Sequence, residues 1–243
     1  MVDAVDAQVD VMAFGAHPDD IELGCGGTLI KLIDMAKSVV LVDMTEAEMS
    51  TRGTLETRRV EAAQATKIIG ALARENLQLP DGDVPAGGEG KRRVAQIIRR
   101  YRPLMILAPY YEDRHPDHYY TSHVVYESAF LSGLARYETG QPNYRPARLV
   151  YYMHWNEFEP TFIIDITAQF ERKMQAIAAY STQFAPDDDT WQQTRLTSPE
   201  HAWLRRSRMA YYGSLIGKKY GEAFLIRGRM EVDSPLDVNF SSF

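Results

Sequence analysis

The chain has 243 residues, of which 45% are hydrophobic and 25% charged, so its composition is that of a globular protein and excludes a disordered or fibrous one. Its 27 basic and 33 acidic residues give a net charge of −6, which provides no overall attraction to nucleic acid or to an anionic membrane. The single cysteine, Cys25, excludes an intrachain disulfide framework and fits a reducing compartment.

The start of the chain and its apolar runs bear on where the protein resides. Residues 1–10 contain three aspartates and neither lysine nor arginine, so they lack the basic start of a signal peptide. No apolar run approaches the length of about 20 residues that a membrane-spanning helix needs. We therefore expect a cytoplasmic protein with no nucleic acid and no membrane among its partners.

In chain order, short apolar runs alternate with segments in which apolar residues recur at helical spacing. The predicted strands are 9–14, 39–44, a strand ending at 77–79, and 104–108, and the predicted helices are 26–35, 55–69 and one ending at 94–101. This alternation predicts βαβ units, and therefore an α/β fold with a parallel sheet flanked by helices.

The second half of the chain is less regular. It contains two further predicted strands, 149–154 and 162–166, and two predicted helices, 168–180 and 199–216. We find no internal repeat and no low-complexity linker, so we expect a single domain over 1–243. Its core would lie at about 9–134, and a C-terminal cap portion at about 148–243 would complete the sheet and part of a substrate wall.

Two clusters of polar residues follow predicted strands. Residues 16–22 read Ala-His-Pro-Asp-Asp-Ile-Glu directly after the first strand, and residues 112–118 read Glu-Asp-Arg-His-Pro-Asp-His after the fourth. In an open parallel sheet, the loops at the carboxyl ends of the strands border the ligand crevice. The two clusters are therefore predicted to meet, although they are separated by about a hundred residues.

Two histidines and an aspartate at this edge can supply three ligands and leave a fourth position open, as a catalytic zinc requires. The ligands predicted from this pattern are His17, Asp20 and His118. Asp19 and His115 then face the bound water and the substrate, where a carboxylate suits a general base and an imidazolium suits an oxyanion. Asp117 could hydrogen-bond His115 and raise its pKa. Because two histidines and a carboxylate also suit iron(II), the metal stays open.

Simpler interpretations compete with this one. Asp19 or Asp20 taken alone is typical of a helix N-cap, and a lone His-Pro-Asp is typical of a turn. Two such elements at the ends of two strands favour a metal site. The remaining histidines near predicted elements lack this context, and we interpret them as structural or surface residues: His123, His154 and His201.

Glycines and arginines near the clusters suggest further roles. The segment Gly24-Cys25-Gly26-Gly27 lacks the Gly-x-Gly-x-x-Gly spacing of a dinucleotide site, so close helix–sheet packing is the simpler interpretation. Arg52 and Arg114 could both reach the crevice and bind a substrate carboxylate, although Arg52 could equally pair with a nearby glutamate on the surface. Asp81 could accept a hydrogen bond from a polyol hydroxyl, or be a turn residue only.

The two polar clusters resemble the motifs of the LmbE-like (PIG-L) family of zinc-dependent de-N-acetylases, and the resemblance runs along almost the whole chain. Within that family the chain is most similar to the branch that hydrolyses N-acetylglucosaminyl-malate in bacillithiol biosynthesis. The segments that support the branch are 43–48, 52–54, 108–114, 180–184 and 217–222.

The resemblance implies a Rossmann-like fold without a dinucleotide and a homo-oligomer, commonly a hexamer. It implies that the triad of His17, Asp20 and His118 binds zinc, that Asp19 is the base, and that His115 is the partner acid, oriented by Asp117. It makes Arg52 and Arg114 candidates for binding the malate carboxylates. The expected partner is a small acetylated amino sugar.

Three alternative functions stay open at this point. The same chemistry could act on another N-acetyl sugar, such as a mycothiol precursor, an antibiotic intermediate or a chitin fragment. The glycine segment could belong to a nucleotide-binding protein, which would bind NAD or ATP without metal. The metal site could belong to a non-catalytic module, which would bind zinc and hydrolyse no acetylated sugar.

Overall fold

A computed structural model describes residues 8–85, 87–186 and 190–239 of the chain. The strands are β1 (Val11–Gly15), β2 (Val39–Thr45), β3 (Ala73–Leu79), β4 (Met105–Pro109), β5 (Arg148–Tyr152), β6 (Phe162–Asp165) and β7 (Gly221–Leu225). The α-helices are α1 (Asp20–Asp34), α2 (Leu55–Ile69), α3 (Gly88–Tyr101), α4 (Pro116–Ser132), α5 (Phe170–Ala178), α6 (Ser181–Phe184) and α7 (Pro199–Ser214). Strands and helices alternate through β5, which confirms the predicted α/β class.

The seven strands form one sheet in the order β3-β2-β1-β4-β5-β7-β6. The first five strands are mutually parallel, and β7 runs antiparallel to both β5 and β6. Because β1 pairs with β2 on one side and with β4 on the other, the strand order reverses between β1 and β4. Open α/β sheets bind their ligands at such a switch point, at the carboxyl ends of the strands.

Both faces of the sheet are covered, as its parallel strands require. Along β1, Met12 and Phe14 join a core with α3 and α4, whereas Val11 and Ala13 join a second core with α1 and α5. The strand is buried along its whole length, which explains why its sequence is a continuous apolar run.

One helix begins well before its predicted start. Helix α1 begins at Asp20, six residues before the predicted start, because the glycine segment is helical. A Cβ at Gly24 would overlap the ring of Tyr152, and one at Gly27 would lie 2.8 Å from Cδ1 of Ile166. The glycines therefore permit close packing of α1 on the sheet, as predicted.

Strand β7 was not predicted from the sequence. It is five residues long and contains Glu222, whose charge is atypical of a buried strand. In the fold this carboxylate accepts hydrogen bonds from Lys173 Nζ (2.6 Å) and from the backbone of Gly27 (2.9 Å) and Thr28 (2.7 Å). Within the residues that the structure describes, no helix is long and apolar enough to cross a membrane.

Candidate metal centre

The loop after β1 and the loop after β4 meet at the switch point of the sheet. The first loop is tied to β2, because the carbonyl of Ala16 accepts both the N–H and the hydroxyl of Thr45 at 3.0 Å. It then enters α1 through Asp19, whose φ of 127° is rare for a residue with a side chain. Such strained conformations concentrate at functional sites. The second loop enters α4 through His115 and Pro116.

Three candidate ligands converge there, which we call the metal triad: His17, Asp20 and His118. The Nδ1 atom of His17 lies 3.4 Å from Asp20 Oδ2, and the Nε2 atom of His118 lies 3.2 Å from Asp20 Oδ1. One ligand atom from each residue lies within 4.8 Å of the other two. Asp20 and His118 are buried, so the triad lies at the base of the cleft.

Each histidine of the metal triad has one ring nitrogen that faces away from Asp20, and this nitrogen contacts a carboxylate of another residue. The Nδ1 atom of His118 lies 3.1 Å from Asp113 Oδ1. The Nε2 atom of His17 lies 3.0 Å from Asp81 Oδ1 and 3.2 Å from Asp117 Oδ2. This is how metal-ligating histidines are oriented in proteins, so the residues present fit a divalent metal.

The charges around the metal triad favour protonated histidines when no metal is bound. Burial opposes the charge on His118, but Asp20 and Asp113 outweigh it and raise the pKa of His118 to about 9. Burial likewise opposes the charge on His17, and its three carboxylate neighbours raise the pKa of His17 well above its ordinary value. A metal cation placed among these carboxylates would take over the role of the two protons.

Asp19 is buried beside the metal triad but is not one of its members. Its side chain caps no helix; instead Oδ2 accepts a hydrogen bond of 3.0 Å from Nη1 of Arg58. The same nitrogen donates to the carbonyl of Pro18 at 2.9 Å. Burial raises the pKa of Asp19 to about 7, and Arg58 limits the rise. A carboxylate in this range can accept a proton and return it near neutral pH.

His115 stands on the other side of the metal triad, with its ring centroid 4.7 Å from that of His118. Its Nδ1 accepts the backbone N–H of Asp117 at 3.2 Å, so the proton of the neutral ring lies on Nε2, which is a donor. Burial and the two neighbouring histidines lower the pKa of His115. The ring therefore faces the site, its lowered pKa favours the neutral form, and Nε2 is the donor of that form.

Asp117 hydrogen-bonds His115 as predicted, but through its backbone N–H and not through its carboxylate. The carboxylate oxygen Oδ2 lies 3.2 Å from His17 Nε2 and accepts the N–H of Gly82 at 2.9 Å. Asp117 lies in the first turn of α4, where its backbone N–H faces the ring of His115 and its side chain reaches the loop after β3. It therefore orients a metal-triad histidine, and its charge offsets only part of the lowering of the His115 pKa.

The structure also corrects two of the predicted substrate contacts. Arg52 is 1% exposed, and its Nε, Nη1 and Nη2 donate to the carbonyls of Thr182 (2.5 Å), Gln192 (3.2 Å) and Ala185 (3.1 Å). Its guanidinium is thus committed to the backbone and is not free for a substrate carboxylate. Asp81 likewise uses Oδ1 for His17 and Oδ2 for the N–H of Met49 (2.8 Å), which leaves it a supporting residue.

A cavity of about 460 Å³ opens above the metal triad, which is a typical size for a small-molecule site. The predicted residue Arg114 lines it, with its guanidinium 4.1 Å from the ring centroid of Trp155. Arg195 lines it as well, 5.6 Å from the same ring. Both arginines are exposed, and no carboxylate forms an ion pair with either one within the described residues. The cavity therefore combines a metal site at its base with cations at its rim.

Four residues of the site were missed or misjudged from the sequence: Arg58, Asp113, His154 and Trp155. His154, interpreted above as structural or surface, is buried with Nε2 3.1 Å from Asp20 Oδ1. Its position two residues after β5 was a usable signal, because β5 is the neighbour of β4 in the sheet. Asp113 lies inside the second motif, whereas nothing in the sequence marks Arg58 on α2.

Comparison with known proteins gives consistent matches. The family model of PIG-L, GlcNAc-PI de-N-acetylase, matches residues 12–129, which include both polar clusters. The diacetylchitobiose deacetylase of Thermococcus kodakarensis is 29% identical over 229 residues, covering 87% of this chain and 80% of the relative.

Solved structures match over a similar extent. A conserved protein from Thermus thermophilus is 33% identical, covers 97% of this chain and 99% of its own, and superposes with a TM-score of 0.83. The N,N'-diacetylchitobiose deacetylase from Pyrococcus horikoshii, solved with an inhibitor, is 27% identical with a TM-score of 0.79. It covers 92% of this chain and 85% of its own.

Proposed function

We propose that this chain, a metal-dependent N-deacetylase whose residues 12–129 match the family model of PIG-L, GlcNAc-PI de-N-acetylase, removes the N-acetyl group from an N-acetylglucosamine conjugate with zinc as its metal. One observation carries the proposal: the metal triad, Asp19 and His115 all border one cavity of about 460 Å³. The other two groups of potential metal ligands in the described residues, His17 with His115 and Asp117, and Asp113 with His118 and His154, each share a histidine with the metal triad and belong to the same cluster.

The donor set suits zinc, because two imidazoles and one carboxylate leave a position open for substrate and water. When bound, the metal supplies Lewis-acid activation of the attacking water and of the amide carbonyl. The same donors suit iron(II), so zinc is part of the proposal. Metal analysis of protein purified without added metal, with activity measured after chelation and reloading with each ion, tests it.

Asp19 is the proposed general base. Its carboxylate takes a proton from the water as the water oxygen bonds to the carbonyl carbon. When the C–N bond of the tetrahedral species breaks, the nitrogen takes that proton and leaves as the amine, and the acetic acid that remains loses its own proton to solvent and becomes acetate. Arg58 holds Oδ2 of Asp19 throughout, which leaves Oδ1 as the oxygen available to the water.

His115 is proposed to stabilise the oxyanion. Because its Nδ1 is occupied by the backbone of Asp117, its Nε2–H is the group that can donate to the carbonyl oxygen. Its lowered pKa keeps the ring neutral, so it acts as a hydrogen-bond donor. This assigns protonation of the leaving amine to Asp19.

We propose N-acetylglucosaminyl-malate, a bacillithiol precursor, as the substrate. The free guanidinium of Arg114 at the rim of the cavity supports it, since it suits a carboxylate of the malate. Arg195 stands on the same tryptophan and can bind the second carboxylate. The second candidate is diacetylchitobiose, which is favoured by the names of the two related deacetylases.

The first experiment measures amine release by the zinc-loaded protein from N-acetylglucosaminyl-malate, diacetylchitobiose and N-acetylglucosamine in parallel. A strong preference for the malate conjugate supports the bacillithiol assignment. A preference for the chitobiose keeps the chemistry and replaces the substrate. Release from none of them, with zinc bound, directs the search to other acylated sugars and then to a non-catalytic role.

A nucleotide-binding function receives no support from the fold. The glycine segment lies inside α1, with Gly24 against Tyr152 and Gly27 against Ile166. This leaves no space beside these glycines for a pyrophosphate. A homo-oligomer, such as a hexamer, stays a prediction, and light scattering after size-exclusion chromatography measures it.

A further inference from the structure

Each member of the metal triad contacts a further polar group that orients it. For Asp20, one carboxylate oxygen is bound by the backbone of its own loop. Its Oδ2 accepts the backbone N–H of His17 at 2.9 Å. Its Oδ1 lies 3.2 Å from His118 Nε2 and 3.1 Å from His154 Nε2. A histidine that binds a metal through Nε2 carries no proton there, so His118 cannot then donate to Asp20. His154 is left as the side chain that can.

Apart from forming a second group of potential metal ligands with Asp113 and His118, His154 has no other polar role that the described residues reveal. Its side chain is 7% exposed, and its ring meets that of His118 edge-on at 4.3 Å. Neither ring nitrogen has a hydrogen-bond partner of regular geometry in the described chain, and Nε2 lies 3.1 Å from Asp20 Oδ1, which is the one ion-pair contact of the ring. Its backbone is anchored, because its carbonyl accepts from Arg208.

A buried imidazole without a partner is unfavourable, so simple packing does not account for this ring. An aliphatic side chain would fill the same space beside His118 at lower cost. Asp20 Oδ1 is the acceptor within reach, and it belongs to a residue whose orientation matters for the metal.

We propose that His154 is a positioning residue of the metal centre. Its Nε2–H donates to Oδ1 of Asp20 and so fixes the carboxylate in the orientation that binds the metal. The inference rests on the metal site of the proposed function but not on deacetylation, so it can be tested without turnover.

The test compares two substitutions of equal length in the full chain. His154→Gln retains an N–H donor near the position of Nε2, whereas His154→Met has the same reach and no donor. His201→Met is the matched control, because His201 is 6% exposed, its ring centroid lies 5.5 Å from that of Trp155, and no contact joins it to a member of the metal triad in the described chain. Zinc affinity is measured by competition with a chromophoric chelator, and the visible spectrum is recorded with cobalt(II).

Loss of the donor should weaken zinc binding about 10- to 100-fold in His154→Met and alter its cobalt spectrum. His154→Gln should stay within about threefold of wild type, and His201→Met should bind zinc normally. Equal zinc affinity in wild type and His154→Met, or equal losses in His154→Met and His154→Gln, would overturn the proposal.

Melting temperatures in excess chelator separate this effect from misfolding. Should the metal-free His154→Met chain be unstable, His154→Asn replaces it, because its shorter amide cannot reach Oδ1 of Asp20. His154→Asn should then bind zinc more weakly than His154→Gln, and equal affinities overturn the proposal. Failure to deacetylate any sugar would contradict the proposed function and leave these affinity differences in place.

Discussion

The two sides of the cavity are built in different ways. Its base comes from two short motifs after β1 and β4, in which each chemical group lies within a few residues of the next. Its rim comes from Arg114 of the second motif and from isolated residues of the C-terminal portion, such as Trp155 and Arg195. The groups proposed to carry out the reaction therefore lie close together in sequence, whereas substrate recognition also requires distant segments that the fold brings together.

The largest effect on metal content and activity is expected from removal of a metal ligand at the bottom of the cavity. His118→Ala removes a metal ligand and leaves the carboxylates of Asp20 and Asp113 facing each other without the imidazole between them. We expect loss of both stoichiometric metal and activity, measured by metal analysis of the purified variant and by amine release. Full metal occupancy in His118→Ala would show that the ligand assignment is wrong.

Substitution of the general base, Asp19, should lower the rate of the reaction without loss of the metal. Asp19→Asn preserves the shape of the side chain and removes the proton acceptor, so kcat should fall at least about 10²-fold while metal stays bound. Metal content and kcat are measured on the same preparation. Turnover near the wild-type rate in the metal-loaded variant would remove Asp19 from this role.

Low pH should weaken metal binding at the bottom of the cavity and leave its rim unaffected. The pKa of His118 is raised from 6.5 to about 9, so its protonation stabilises the metal-free fold fully below pH 6.5 and ceases to do so as the pH rises through 9. Metal requires the neutral ring, so zinc affinity should rise about tenfold per pH unit for each proton displaced over that window. Calorimetry in buffers of different ionisation enthalpy counts the protons, and zinc binding without proton release would contradict this account.

The smallest expected effect lies at the rim. Arg114→Met should raise KM for N-acetylglucosaminyl-malate about tenfold, the equivalent of one charge-assisted hydrogen bond, with kcat little changed. KM for the uncharged diacetylchitobiose should not move. Arg59→Met is the control, because Arg59 is an exposed arginine that pairs with Glu46. Equal changes for both substrates would show that Arg114 does not recognise a carboxylate.

The first half of the fold was predictable because parallel strands buried on both faces are continuous apolar runs that alternate with amphipathic helices. The early start of α1 was not predictable, because glycines are poor helix formers. Only the close approach of Tyr152 explains why glycines occur in this helix. Strand β7 was not predicted for a related reason. Its residue Glu222 is buried only because Lys173 and backbone N–H groups of α1 donate hydrogen bonds to it.

At the site, the sequence alone determined the chemistry: two His-Pro-Asp elements after two strands predict that His17, Asp20 and His118 meet, since the carboxyl ends of parallel strands share one edge. Which partner each side chain takes was decided only by the tertiary structure. Arg52 is committed to three carbonyls and Asp117 to His17, while His154 enters the site, because hydrogen bonds between segments far apart in sequence depend on distances that no local pattern contains.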